Sequence, residues 1–223
     1  MFWQDDDESV EISVNDDVVD VVFSIRAKTL PVDHAYALSR AIIQHLPWLE
    51  SEPMAGLHTI HVAASANGWM RPQDVLYPSR RTKFMLRAPK HRVEEAMQLN
   101  GVELDIDGHA LTLDNASTRL LSDLTTLFSR YVVSESEDEQ QFVEFVVAAL
   151  KGMGIKPKKL LCGTETPVTH EQGTLLTRSL MLADLSVEES LKLQTLGIGS
   201  HRYMGCGIFI PHKDIKRIRE DQG

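Results

Sequence analysis

From Val18 onward the spacing of apolar residues predicts strand, helix, strand, strand, helix, strand, and then a second, looser pass through the same order. Residues 18–28 alternate around Val21, Phe23 and Ile25 and predict a strand. Leu30-Pro31-Val32-Asp33 supplies a turn with Asp33 placed to cap a helix, and 34–46 has helical spacing with Leu38, Ala41, Ile42 and Leu46 in one stripe. Segments 57–65 and 82–89 predict strands, 91–99 a short helix stopped by Asn100-Gly101, and 102–106 with 109–113 a hairpin about Asp107-Gly108. In the second pass 119–133 reads as extended, 138–154 as an amphipathic helix, and 158–163 and 174–182 as strands. A helix over 186–197 opens with Ser186 and Glu189 in capping-box spacing, and 206–211 reads as the closing strand. The expected fold class is α+β: two tandem ferredoxin-like βαββαβ units, residues 1–115 and 116–223.

Such a chain needs no covalent staple. Its 223 residues, 43% hydrophobic and 25% charged, suffice to bury a core in each half. No run of eighteen apolar residues is present, so no membrane-spanning helix is expected. The start, MFWQDDDES, lacks the basic and apolar regions of a secretory signal, which points to a cytoplasmic protein. Cys162 and Cys206 alone make neither a disulfide framework nor a four-cysteine zinc site. His58 and His61 have HxxH spacing, but on a strand an odd separation sends them to opposite faces, and HExxH is absent; no metal or other cofactor is expected.

A net charge of −9 argues at first against a nucleic-acid partner, whose phosphates favour a basic chain. The distribution tells more than the sum. The first twenty residues hold Asp5, Asp6, Asp7, Glu8, Glu11, Asp16, Asp17 and Asp20 and no Lys or Arg. Between Arg71 and Arg92 seven basic residues, among them Arg80 and Arg81, face one acid, Asp74. Lys151, Lys156, Lys158 and Lys159 form a second group around Pro157. An RNA-binding role therefore requires the early acids to lie away from the binding face.

Gly197-Ile198-Gly199-Ser200-His201-Arg202-Tyr203-Met204-Gly205-Cys206-Gly207 concentrates four glycines in eleven residues, with His201 and Arg202 as donors in a backbone able to approach a ligand closely. It is not a dinucleotide fingerprint, since Arg202 stands at the third glycine position and a strand follows. No Gly-Lys-Ser/Thr marks a P-loop, and Gly199-Ser200 lacks the G-x-S-x-G frame of a serine hydrolase.

Two ferredoxin-like units ending in helix, basic glycine-rich loop and strand resemble the RAMP superfamily of CRISPR-associated RNA-binding proteins. The segments LPVDHAYALSRAIIQHLP, SRRTKFMLRAP and LGIGSHRYMGCGIFIP resemble its repeat-cleaving endoribonuclease, in the variant of myxobacterial-type systems. The resemblance implies metal-independent cutting of the precursor transcript into guide RNAs, with the ribose 2′-hydroxyl attacking the adjacent phosphate to leave a 2′,3′-cyclic phosphate and a 5′-hydroxyl. It also implies CRISPR repeat RNA as partner, leaves room for other effector subunits, and implies a histidine of the first helix in proton transfer.

Two residues fit that last role. His34, at the helix start beside Asp33, and His45, in the last turn, are eleven residues apart. That is about 1100° of rotation, so they share a face but lie three turns apart and cannot both reach one phosphate. Tyr36 is a candidate helper. Arg80, Arg81, Lys156, Lys158 and Lys159 are candidate phosphate ligands, and Gly197, Gly199, Ser200, His201 and Arg202 candidate RNA contacts in the loop. A non-catalytic guide-RNA-binding subunit, or a ferredoxin-like metabolite-binding or regulatory domain, remains as an alternative.

Overall fold

The computed structural model describes residues 17–62 and 75–212. Arg71, Asp74 and the acids from Asp5 to Asp16 lie outside the described residues, as does the end of the strand read over 57–65.

The N-terminal half runs β1 (Val18–Arg26), β2 (Leu30–Pro31), α1 (Ala35–His45), β3 (Gly56–His58), β4 (Val75–Leu76), β5 (Lys83–Pro89), α2 (Val93–Met97), β6 (Glu103–Ile106) and β7 (His109–Leu120). Its five-stranded sheet has the order β3-β5-β1-β7-β6, while β2 and β4 pair separately. The C-terminal half runs β8 (Leu127–Val133), α3 (Glu139–Gly152), β9 (Lys159–His170), β10 (Gly173–Ala183), α4 (Val187–Leu196) and β11 (Ile210–Pro211), with sheet order β11-β8-β10-β9. Number the strands of each βαββαβ unit one to four, and both sheets place strand one between strands three and four, with strand two outermost. This is the ferredoxin-like arrangement twice over, with the β6–β7 hairpin adding one strand to the first sheet.

The helices form where the apolar stripes predict. Leu38, Ala41 and Ile42 turn α1 onto its sheet, and Phe142, Val146 and Leu150 do the same for α3. Asp138 accepts from the Gln140 and Gln141 amides at 2.7 and 3.1 Å to cap α3, and the Ser186–Glu189 capping box opens α4. Each half has its own core, around Phe23, Phe84 and Ile42 in the first and Phe142, Leu180 and Phe209 in the second.

Boundaries differ from the sequence reading in instructive ways. The division near Asn115 falls inside β7, which continues to Leu120; Asn115 has a φ of 53°, and the pairing with β1 shifts register between Val22 and Ser24. The connection between halves is therefore the stretch 121–126. β9 does not stop at Gly163 but continues through Pro167 to His170, a proline being tolerable because β9 is an edge strand. The closing strand shrinks to Ile210–Pro211 because the segment before it is drawn into the glycine loop.

Buried charge joins the halves. Arg87 on β5 is fully buried and donates to Asp20 on β1 at 3.0 Å. Across the interface it donates to the Gln194 and Phe209 carbonyls at 2.7 and 3.0 Å. Asp20 also meets His58 at 3.2 Å and Arg119 at 3.1 Å. Burial alone would raise the Asp20 pKa, but His58 and Arg87 outweigh it and hold the carboxyl well below the usual range. Of the early acids, Asp20 thus serves the fold, and Asp17 accepts the Lys90 amide through its carbonyl.

Candidate functional site

Three stretches far apart in sequence meet at the junction of the halves: the start of α1, the end of β9 and the glycine loop. Asp33 accepts the Thr169 amide at 3.0 Å, which ties the first two together. Above a floor of Ala35, Val168 and Met204, four rings follow one another. Tyr36 stands edge-on to His170 with centroids 5.6 Å apart, His170 edge-on to His201 at 5.1 Å, and His201 tilts against Tyr203 at 5.7 Å. All four are partly exposed.

The loop is built to present His201. It follows α4, whose C-cap Gly197 has a φ of 66°. Ile198 donates to the Gly207 carbonyl at 3.3 Å and Gly207 donates to the Tyr131 carbonyl at 2.6 Å, closing the loop's ends. A Cβ on Gly207 would land on the Ile198 carbonyl, and its φ of 65° disfavours a side chain as well. His201 itself is left-handed, φ 61°, held there because its carbonyl accepts the Met204 and Cys206 amides at 2.9 and 3.2 Å. The Ser200 hydroxyl lies 2.8 Å from His201 Nδ1. Partial burial, and then His170, lower the His201 pKa, so its imidazole is neutral at pH 7. Burial and the charge of Glu50 raise the Tyr203 pKa, against which Arg40 acts in the opposite sense.

Two expected site residues have other work. His34 is buried; its Nδ1 donates to the Pro31 carbonyl at 2.9 Å and its Nε2 accepts the Ile60 amide at 2.9 Å. Both nitrogens are occupied, and burial lowers its pKa, so His34 is a neutral brace between the α1 entry and the β3 exit with no nitrogen left for proton transfer. Arg202 turns inward and donates to the Met54, Ala55 and Thr195 carbonyls at 3.3, 3.1 and 2.9 Å. Burial and neighbouring Arg87 push its pKa down to about 9, which leaves it cationic. It anchors the loop to the N-terminal half, and that inward commitment removes it from the ligand-facing set.

The remaining candidates are scattered. His45 is exposed at the far end of α1, in a groove along that helix that also borders Tyr36 and Arg40 and is flanked by Asp105 and Asp107. Arg80 and Arg81 are exposed in the turn before β5, and Arg80 borders a groove of about 600 Å³ with Arg26, Lys28 and His109. Lys156, Lys158 and Lys159 are exposed near the start of α4, the end opposite the glycine loop; the Lys156 amide donates to Glu189, and the Lys159 ammonium pairs with Asp184 at 3.0 Å. His58 turns inward to Asp20 while His61 is exposed, and among the described residues no three or more His, Cys, Asp or Glu side chains gather as metal ligands. Also among the described residues, no helix is long and apolar enough to cross a membrane.

His170 and Tyr203 escaped the sequence reading. His170 was hidden because Gly163 and Pro167 interrupt the strand that carries it. Tyr203 lay in the singled-out loop, two residues past His201, and an exposed aromatic beside a histidine was the available signal.

The family described as Cas6 Crispr matches residues 19–214. The chain belongs to the Cas6 family. It is 32% identical over 202 residues to the CRISPR-associated endonuclease Cas6 of Myxococcus xanthus, spanning 90% of this chain and 84% of that one. Among solved structures it is similar to an RAMP protein described as binding different RNA substrates, with a TM-score of 0.63 at 13% identity over 87% of this chain and all of the other. A CRISPR-associated Cas6 protein gives 0.60 at 10% identity over 88% of this chain and all of the other. A Cas6-related protein from Pyrococcus furiosus gives 0.59 at 11% identity over 88% of this chain and 99% of the other. At these identities the structural matches speak for the fold, which is the tandem ferredoxin-like fold of RAMP proteins.

Proposed function

We propose that the chain binds CRISPR repeat RNA and cuts the precursor transcript into guide RNAs by metal-independent transesterification. The observation that carries this reading is the meeting of His170, His201, Tyr36 and Tyr203 at the junction of the halves. Family membership and the endonuclease description of the Myxococcus relative support it.

In this reaction His201 Nε2 takes the proton of the ribose 2′-hydroxyl, which a neutral imidazole does at pH 7. The 2′-oxygen bonds to phosphorus, the bond from phosphorus to the 5′-oxygen breaks, and His170 hands a proton to the departing 5′-oxygen. One proton has moved from the 2′- to the 5′-oxygen, and the products are a 2′,3′-cyclic phosphate and a 5′-hydroxyl. Tyr36, Tyr203 and Arg40 stabilise the charge of the phosphorane. His34 braces the α1 entry and Arg202 the loop, so both act by position. Exposed Arg80, Arg81, Lys156 and Lys158 hold phosphates farther along the RNA, by backbone and shape rather than sequence.

The test is incubation of end-labelled repeat RNA with the protein in EDTA, followed by end-group analysis. Cleavage to a cyclic phosphate and a 5′-hydroxyl, lost in His201→Ala and His170→Ala, is expected. Tight binding of intact RNA would instead identify a non-catalytic guide-RNA subunit, and absence of salt-sensitive binding would end the RNA reading altogether.

A further inference from the structure

Beside the glycine loop, a pocket of about 380 Å³ opens between Gly199-Ser200, the β8–α3 connection and the first turns of α3. Phe145 forms one wall. It is 44% exposed although α3 buries Phe142 and Val146 beside it. Glu135 and Gln141 line the pocket, both exposed, and no Lys or Arg does. Gly199, φ 82°, forms the loop wall; a Cβ there would lie 3.8 Å from Phe145 and narrow the opening.

We propose that this pocket takes one unpaired nucleobase next to the scissile phosphate, stacked on Phe145. The proposal rests on the RNA-cleaving reading above and adds a specificity-determining site to it. A carboxylate in a pocket whose lining holds no Lys or Arg disfavours phosphate, so the backbone is not the occupant. It does suit a base edge, whose N–H donors Glu135 accepts while the Gln141 amide both donates and accepts. Unpaired RNA bases are characteristically stacked on aromatic side chains and read along such edges. The pocket also has the right address. Ser200 lines it and also touches His201 Nδ1 at 2.8 Å, so a single residue links the pocket wall to the proton acceptor.

The test uses repeat RNA from the source genome's CRISPR array, with one photoreactive 5-iodopyrimidine or 6-thioguanine introduced at a time, irradiated on the full chain in EDTA. One position flanking the cut is expected to cross-link to the peptide bearing Phe145. Phe145→Ala should weaken binding by about 5- to 150-fold and abolish that cross-link, while Phe145→Trp keeps both. A thermal melt checks that the variants fold. RNA that binds and is cut by wild type, but cross-links nowhere in residues 133–145 and binds Phe145→Ala within twofold of wild type, overturns the pocket and leaves the cleavage reading standing. No salt-sensitive RNA binding by wild type overturns both.

Discussion

The ring of His201 stands edge-on to that of His170, with centroids 5.1 Å apart, although 31 positions and an entire helix separate them in the chain. Their meeting requires β9 to extend to its full length and the glycine loop to fold back against the N-terminal half. Arg202 and Arg87 secure the second condition, each reaching from one half to carbonyls of the other.

Arg87→Met is expected to be strongly destabilising, because it strips the buried Asp20 carboxylate of the guanidinium that reaches both its oxygens. A broken buried pair costs roughly 3–5 kcal/mol. Pairing it with Asp20→Asn should recover part of that loss in urea titrations, and Arg87→Met alone should split the single transition as the halves uncouple. Additive losses would show that Asp20 and Arg87 do not interact.

His34 makes stability depend on pH. Its folded pKa lies below the ordinary histidine value, so below about pH 6.5 the unfolded chain binds the extra proton. The contribution is therefore complete above that pH and declines as pH falls. Thermal melts from pH 7.5 to 5.5 should show a falling Tm, with a shallower fall in His34→Gln. His34→Ala should lower Tm at pH 7.5 by several degrees, from about 1–3 kcal/mol of lost hydrogen bonding.

Gly207→Ala forces a Cβ onto the Ile198 carbonyl at a φ suited to glycine. The loop should open, and cleavage should fall at least tenfold while the melting temperature drops by only a few degrees. Unchanged cleavage would show that loop closure does not position His201.

Replacing Arg80 and Arg81 together by alanine tests whether they hold phosphates. The slope of log affinity against log salt should flatten by roughly 0.7 for each arginine that neutralises a phosphate in the wild type. Lys159→Ala should change the slope less, because its ammonium already pairs with Asp184. An unchanged slope in the double arginine variant would show that neither residue touches the RNA backbone.

The sequence made the architecture legible, since apolar periodicity marks strands and helices wherever one face is buried. The capping pair Ser186 and Glu189 and the α1 stripe were readable as they stand. The loop itself was legible from its glycine spacing, but its contact with the start of α1 exists only in the folded chain. What was illegible was which way side chains point. His34 and Arg202 look reactive on paper, but hydrogen-bond partners such as the Ile60 amide and the Ala55 carbonyl exist only after folding. His170 was lost for a different reason: edge strands tolerate the glycine and proline that sequence patterns take as stops.

Single-turnover cleavage of repeat RNA at pH 7 by wild type, His201→Ala and His34→Gln, with RNA affinity measured alongside, tests the catalytic assignment most directly. His201→Ala should slow cleavage by about 10²- to 10⁴-fold with affinity little changed, while His34→Gln stays within tenfold of wild type. The reverse order, with His34→Gln inactive and His201→Ala near wild type, would contradict it.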